Sequence, residues 1–369
     1  MTERERLICV LNGGTPDRVP WFADLGHWYR AKLGKPWNLF TITNATPEML
    51  ALHREVKAGW YVEVGSLHDE QYEGGVERER VLEKNEAIER FHTPLGSIKM
   101  IRCWNQKSFS WDITKHLVET PQDLKILQYA IERRTFIPRY ERWQHLEELA
   151  GDIGLGFPSM GYTGLGSLIS YYMGVMPTIY AISDEPELIE QYITAYNENH
   201  MELVRLYSRS PAPHVIFTDN LSSDIQSPPL FRRFSLAHYK NIADCLHAAG
   251  KTVSAHIDGR MNGLIGQLAE SGIDVADACT PKPNGDLTPE EIRAQAGPDL
   301  ILMGGVSPGM WLPETPEPVF IDHVRRWLDL RHQSSRLVQS AGDQVPPGTD
   351  IQRIKLMAEI VDTYGRYPA

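Results

Sequence analysis

The sequence predicts a closed (β/α)8 barrel, a TIM barrel, with a small antiparallel insertion near residues 74–115. Two observations carry that prediction. Short apolar runs alternate with amphipathic helical stretches about eight times along the 369 residues, the pattern of a parallel sheet with helical crossovers. No serine- or glycine-rich linker or low-complexity segment interrupts the alternation, so residues 1–369 read as a single domain. No G-x-G-x-x-G follows a strand, and no P-loop, nucleophile elbow or HExxH occurs. An open sheet that binds a dinucleotide therefore has no support.

The elements follow in order. Residues 2–12 read as a helix, with Thr2 as cap and Glu3 and Glu5 in its first turn. Residues 17–24 form a strand that opens into Gly26-His27-Trp28. Thr46, Pro47 and Glu48 start a helix over 46–59, and a strand is expected over 60–65. Between 74 and 115, charged turns separate β-like pieces at 88–92 and 98–104, which gives the insertion. Helices are expected over 123–134, 140–149, 186–208, 229–249, 261–271, 288–296, 317–334 and 351–364. Strands fall between them at 153–157, 214–218, 252–255, 275–278, 300–303 and 336–339.

One stretch, 154–183, contains no Asp, Glu, Lys or Arg. Six glycines, Pro158 and Pro177 break it, whereas a spanning helix needs ~20 continuous, mainly apolar residues. It reads as a buried strand followed by a pocket-lining loop and helix, or as a subunit interface.

Composition narrows the function. A net charge of −11 argues against a nucleic-acid surface or an anionic membrane. Cys9, Cys103, Cys245 and Cys279 form no CxxC pair, so neither disulfides nor a thiolate cage is indicated. With an N-terminus that leads into no apolar signal core, a cytoplasmic location is expected.

In a barrel, side chains at the C-terminal ends of the strands converge on one mouth. Those ends supply Asp24 and His27, Asp219 and Asn220, His256 and Asp258, Asp277 and Asp343. His256 and Asp258 stand two apart and so point the same way from a pleated strand. Together with Asp343 they could hold zinc or a harder ion, or act without metal as an acid/base set in which a carboxylate orients the imidazole. Asp277 reads instead as a turn or capping residue, and His247 as structural.

The order of motifs resembles the uroporphyrinogen decarboxylase superfamily, whose members are (β/α)8 barrels. The likeness rests on Arg4-Glu-Arg-Leu7 with Leu11-Asn-Gly-Gly-Thr-Pro-Asp-Arg-Val-Pro20, and on His247 to Gly259 followed by Leu268-Ala-Glu-Ser-Gly-Ile-Asp274. It continues with Gly304-Gly-Val-Ser-Pro308, and with Gly342-Asp-Gln-Val-Pro-Pro-Gly-Thr349 before Ile354 to Val361. One branch of that superfamily decarboxylates uroporphyrinogen without metal, gripping propionates with N-terminal arginines; the matching segment here, Trp21 to Trp28, has none. The other branch contains corrinoid-dependent methyltransferases whose zinc ligands, a His-x-Cys and a later Cys, fall on His256, Asp258 and Asp343. Both thiolates are replaced by carboxylates.

The resemblance thus implies a methyltransferase or demethylase half acting on a small methylated or methoxylated compound. Zinc would activate the leaving heteroatom, and a partner protein would bring the corrinoid. Asp24, His27, Asp219 and Asn220 are the expected catalytic residues. Trp21, Trp28, Met160 and Tyr162 are expected to meet an apolar, aromatic substrate, and a homodimer would suit the superfamily. Two alternatives stand beside this: a metal-independent decarboxylase of a small carboxylated or tetrapyrrole-like substrate, with Asp24 or Asp219 stabilising a protonated intermediate, and a non-catalytic binding barrel.

Overall fold

Eight parallel segments close into a ring in the computed structural model, which describes residues 1–41, 45–61 and 65–368. Five are adjacent strands: His214–Leu221, Thr252–Ile257, Val275–Cys279, Ile301–Gly304 and Leu337–Gln339. The other three are shorter and join by single parallel bridges, Trp21 to Gln339, Phe22 to Gly59, Trp60 to Gly154 and Ser159 to Ile216. Backbone hydrogen bonds seal these joints, among them Phe22 N–H to the Gln339 carbonyl (3.0 Å) and Met160 N–H to the Ile216 carbonyl (2.8 Å). The expected barrel is therefore closed. Of the strand expected over 60–65, Trp60 and Tyr61 lie in the ring, and 62–64 fall outside the described residues.

Local chemistry explains the helix starts. The hydroxyls of Thr2, Thr46 and Thr288 each accept a backbone N–H three residues on, and Glu5 and Glu291 return the bond to complete capping boxes. The barrel core is aromatic: Trp21, Phe22, Trp60, Tyr61 and Phe157 are each at most 1% exposed. Burying such a side chain contributes roughly 1.5–3 kcal/mol. Gly154 permits the close joint there, because a Cβ at this position would sit 1.8 Å from the Trp60 carbonyl oxygen.

The structure departs from the sequence expectation in several details. The helix expected over 229–249 breaks at Ser235 into Pro228–Phe234 and Leu236–His247. An antiparallel pair, His68–Tyr72 with Arg134–Pro138, appears where the charged sequence shows no alternation. Ion pairs hold that pair, Arg134 to Glu70 (3.1 Å) and Arg139 to Asp69 (2.7 Å).

The insertion is a four-stranded antiparallel sheet, Glu77–Glu83, Glu86–Thr93, Gly96–Asn105 and Ser110–Lys115. Glu89, 2% exposed, fastens it by accepting from Arg78 (2.6 Å), Arg80 (2.9 Å) and the Tyr171 hydroxyl (2.9 Å). Among the described residues, no helix is long and apolar enough to cross a membrane.

Candidate active site at the barrel mouth

The strands Thr252–Ile257 and Val275–Cys279 lie side by side with His256 opposite Asp277. That register brings the imidazole Nδ1 to 2.8 Å from Asp277 Oδ2. The Asp343 Oδ1 stands 3.7 Å from Nε2, beyond hydrogen-bond reach, so it acts on the ring through charge. Asp277 is 1% exposed, whereas the His256 side chain keeps 17% of its surface open. Burial pushes the imidazolium toward losing its proton. The hydrogen bond to Asp277 and the charges of Asp277, Asp343 and Asp258 outweigh it and raise the pKa to about 9. At neutral pH both ring nitrogens therefore carry hydrogen.

A cavity of about 450 Å³ opens in front of this ring, within the range of small-ligand sites. Asp24, Asp258, Asp277 and Asp343 line it together with His256. Tyr61, Phe157 and Tyr162 supply aromatic walls, and Ser159, Thr218 and Asn220 neutral polar ones. Burial, then the charges of Asp277, Asp24 and Asp343, keeps the Tyr61 hydroxyl protonated far above its usual range.

Of the expected site residues, the cavity brings together Asp24, Asn220, Tyr162, His256, Asp258 and Asp343. Asp24 Oδ1 also accepts the Gly26 N–H (2.7 Å) where the helix Gly26–Leu33 begins. Asn220 takes a left-handed backbone (φ 48°) near the end of the strand His214–Leu221.

Five expectations are corrected. Asp219 is wholly buried and points away from the mouth, accepting from the Thr163 N–H (2.7 Å), the Thr163 hydroxyl and the Tyr239 hydroxyl (2.7 Å). Its neighbour Gly166 leaves room for it, since a Cβ there would come within 2.1 Å of Oδ1. His27 lies outside the cavity and bonds the Ser108 carbonyl (2.8 Å) of the insertion. Trp21 stacks on Trp311 in the core, and Trp28 donates to the Thr349 carbonyl (2.8 Å) beneath Lys32. Met160 is 2% exposed and belongs to the barrel core.

Asp277, expected as a turn or capping residue, is the hydrogen-bond partner of His256. The sequence holds a signal for it. An Asp at the centre of the apolar run Val275-Ala-Asp-Ala-Cys279 sits inside a strand, where a charge is costly unless it is paired. Tyr61 and Phe157 carry no comparable sign, since an aromatic residue in a barrel strand is usually core.

The expected zinc ligands His256, Asp258 and Asp343 line the same cavity. Among the described residues, no three His, Cys, Asp or Glu side chains are arranged to hold an ion. His256 Nδ1 is hydrogen-bonded to Asp277, and the Asp343 carboxylate stands 3.7 Å from Nε2.

The family model of uroporphyrinogen decarboxylase (URO-D) matches residues 148–364. Among solved structures, a methyltransferase from Methanosarcina mazei is similar over 99% of both chains, with a TM-score of 0.60 and 18% identity. A D-psicose 3-epimerase from Clostridium cellulolyticum H10 is similar over 61% of this chain and 76% of its own at 11% identity, and its TM-score of 0.34 is too low to bear on the fold. No curated protein matches the sequence. Because the family model spans more than half of the chain, the protein belongs to the uroporphyrinogen decarboxylase (URO-D) family.

Proposed function

We propose that the protein is an enzyme that takes the methyl group from a small methyl ether and passes it to a corrinoid carried by a separate protein. The observation that supports this reading is His256, held as an imidazolium by Asp277 and Asp343 at the edge of a partly aromatic cavity. Cleaving an ether leaves an electron pair on oxygen that is far better expelled with a proton. His256 Nε2 would give that proton as the O–CH3 bond breaks and the methyl carbon bonds to its acceptor. Asp277 orients the ring and stabilises its charged form. The corrinoid would supply the nucleophile, and the exposed rim residues Asn220 and Asp258 leave the cavity open to an incoming partner. The fold it shares with a Methanosarcina methyltransferase is consistent with this reading.

The charge of the cavity disfavours the decarboxylase reading. Four carboxylates line it and, among the described residues, no Lys or Arg does, so a polycarboxylate would meet repulsion. The test uses purified protein, methoxybenzene and chemically reduced cobalamin. Phenol and methylcobalamin should form in equal amounts without added zinc. Carbon dioxide release from carboxylated substrates with no methyl transfer would overturn the proposal. Turnover that depends on zinc would move His256 from proton donor to metal ligand.

A further inference from the structure

We infer, resting on the ether-cleaving reading above, that Arg102 binds an oxyanion at the rim of the mouth: a carboxylate or phosphodiester group of a molecule that reacts there. The insertion sheet has four arginines. Arg78 and Arg80 pair with Glu89, and Arg90 pairs with Glu79. Arg102 is the exception: among the described residues its guanidinium has no ion pair and no hydrogen-bond acceptor. Strand alternation puts it on the face that carries Ile98 and Met100 into the core. There its guanidinium lies over the Tyr171 ring, 4.5 Å from the centre.

Contacts of Tyr171 tie this guanidinium to the mouth. Tyr171 belongs to the short π-helix Leu168–Tyr172, whose Ser170 hydroxyl donates to the Asp219 carbonyl (3.3 Å), one residue from the cavity-lining Asn220. The Tyr171 ring stands 6.0 Å from that of Tyr162, which lines the cavity. Both tyrosines are partly exposed, and the bond from the Tyr171 hydroxyl to Glu89 (2.9 Å) fixes the outer ring. They form a ledge that runs from the cavity to Arg102. The Arg102 Nε is buried without a partner, which is costly, yet the residue as a whole is only partly buried. An oxyanion against the open side of the group would offset that cost through charge, and a guanidinium can give a carboxylate or phosphate two parallel N–H bonds. With the ether oxygen at His256, the far end of a substrate would leave the cavity along this ledge. The corrinoid offers the same chemistry through the phosphodiester of its nucleotide loop.

Calorimetry on the full-length protein, at low and high salt, tests this with two matched pairs that separate the sources. Binding of 3-methoxyphenylacetate against methoxybenzene reports on a substrate carboxylate. Binding of cobalamin against cobinamide, which lacks the nucleotide loop and its phosphodiester, reports on the corrinoid. In at least one pair the anionic member should bind about tenfold tighter or better, and added salt should erode that advantage. Arg102→Met should abolish the preference and Arg102→Lys should keep part of it. Arg90→Met, which removes a paired arginine of the same sheet, should leave it intact. No anionic preference in either pair, or a preference that survives Arg102→Met, would overturn the inference. So would a lower melting temperature of Arg102→Met with an unchanged preference, since Arg102 would then be a strut that fastens the sheet to Tyr171. Methyl transfer from the same ethers to reduced cobalamin keeps the two claims apart. Failure of both ethers to transfer overturns the ether-cleaving reading, while the binding ratios still decide Arg102.

Discussion

Two histidines on neighbouring strands sit at opposite ends of the barrel and are held in opposite states. His214, at the start of its strand, lies between the hydroxyls of Thr252 (2.7 Å) and Ser254 (2.6 Å) and against the ring of Phe157. Burial with neutral partners pushes its pKa down to about 3. His256, near the end of the next strand, is also largely enclosed but faces Asp277, Asp343 and Asp258, and it is held up at about 9. Burial acts in the same direction on both; the partners decide the outcome. The lower end of the barrel is thus electrically finished, while the upper end keeps charge for an incoming molecule, in line with the division of labour in such barrels.

The sharpest way to break this contrast is to remove each imidazole in turn. His256→Gln should lower methyl transfer by about 10²–10⁴, the usual worth of a positioned general acid, and should move the melting temperature little. His214→Gln should do the reverse, lowering stability and leaving the ratio of substrates unchanged. Equal losses of activity in the two variants would refute the division.

Two buried aspartates give the next largest test. Asp219 has three donors and no access to the cavity, whereas Asp277 has one partner and lines it. Asp219→Ala should cost about 3 kcal/mol in denaturant unfolding, because it strands the Thr163 N–H and the hydroxyls of Thr163 and Tyr239 in the interior. Substrate binding by the folded fraction should persist. A stable Asp219→Ala protein that has lost binding would return Asp219 to the site.

Acid exposes the neutral histidines as a group. His53, His68, His238 and His323 are pushed by burial to about 4, and His214 to about 3. Between about pH 4 and 6.5 each stays neutral in the folded protein, while the unfolded chain binds a proton. Their contribution to stability is therefore complete above pH 6.5 and is lost as the pH falls toward 4. The melting temperature should drop steeply over that window, and a flat profile would argue that these rings gain partners on protonation.

How much of this was legible in the residues follows the same divide. The closed barrel and the insertion could be read because strands, helices and caps leave local marks such as Thr46-Pro47-Glu48. The pair His256 and Asp343 could be read because polar residues at strand ends stand out. Asp219 and His27 misled because a strand-end position does not say which way a side chain turns; Asp219 turns inward to Thr163 and Tyr239, two residues remote in sequence. Trp21 and Trp28 misled for a related reason, since an aromatic residue suits a core and a pocket wall equally. Asp277 needed the register between two strands, which no single stretch of sequence holds.

The smallest effect isolates that register. In Asp277→Asn the carboxylate that holds the His256 proton becomes a neutral amide of nearly the same shape, while Asp343 and Asp258 remain. The imidazole pKa should fall from about 9 toward its ordinary value of about 6.5, read directly from the ring-proton shifts in an NMR titration. The linked stability effect has a fixed sign. A histidine whose folded pKa is raised stabilises the fold fully below pH 6.5, and that contribution is lost as the pH rises through about 9. The wild type should therefore lose stability between pH 6.5 and 9, and Asp277→Asn should lose less over the same range. If the variant keeps a pKa near 9, then Asp343 and Asp258 hold the proton by themselves, and the hydrogen bond across the two strands is not what distinguishes the upper end of the barrel from the lower.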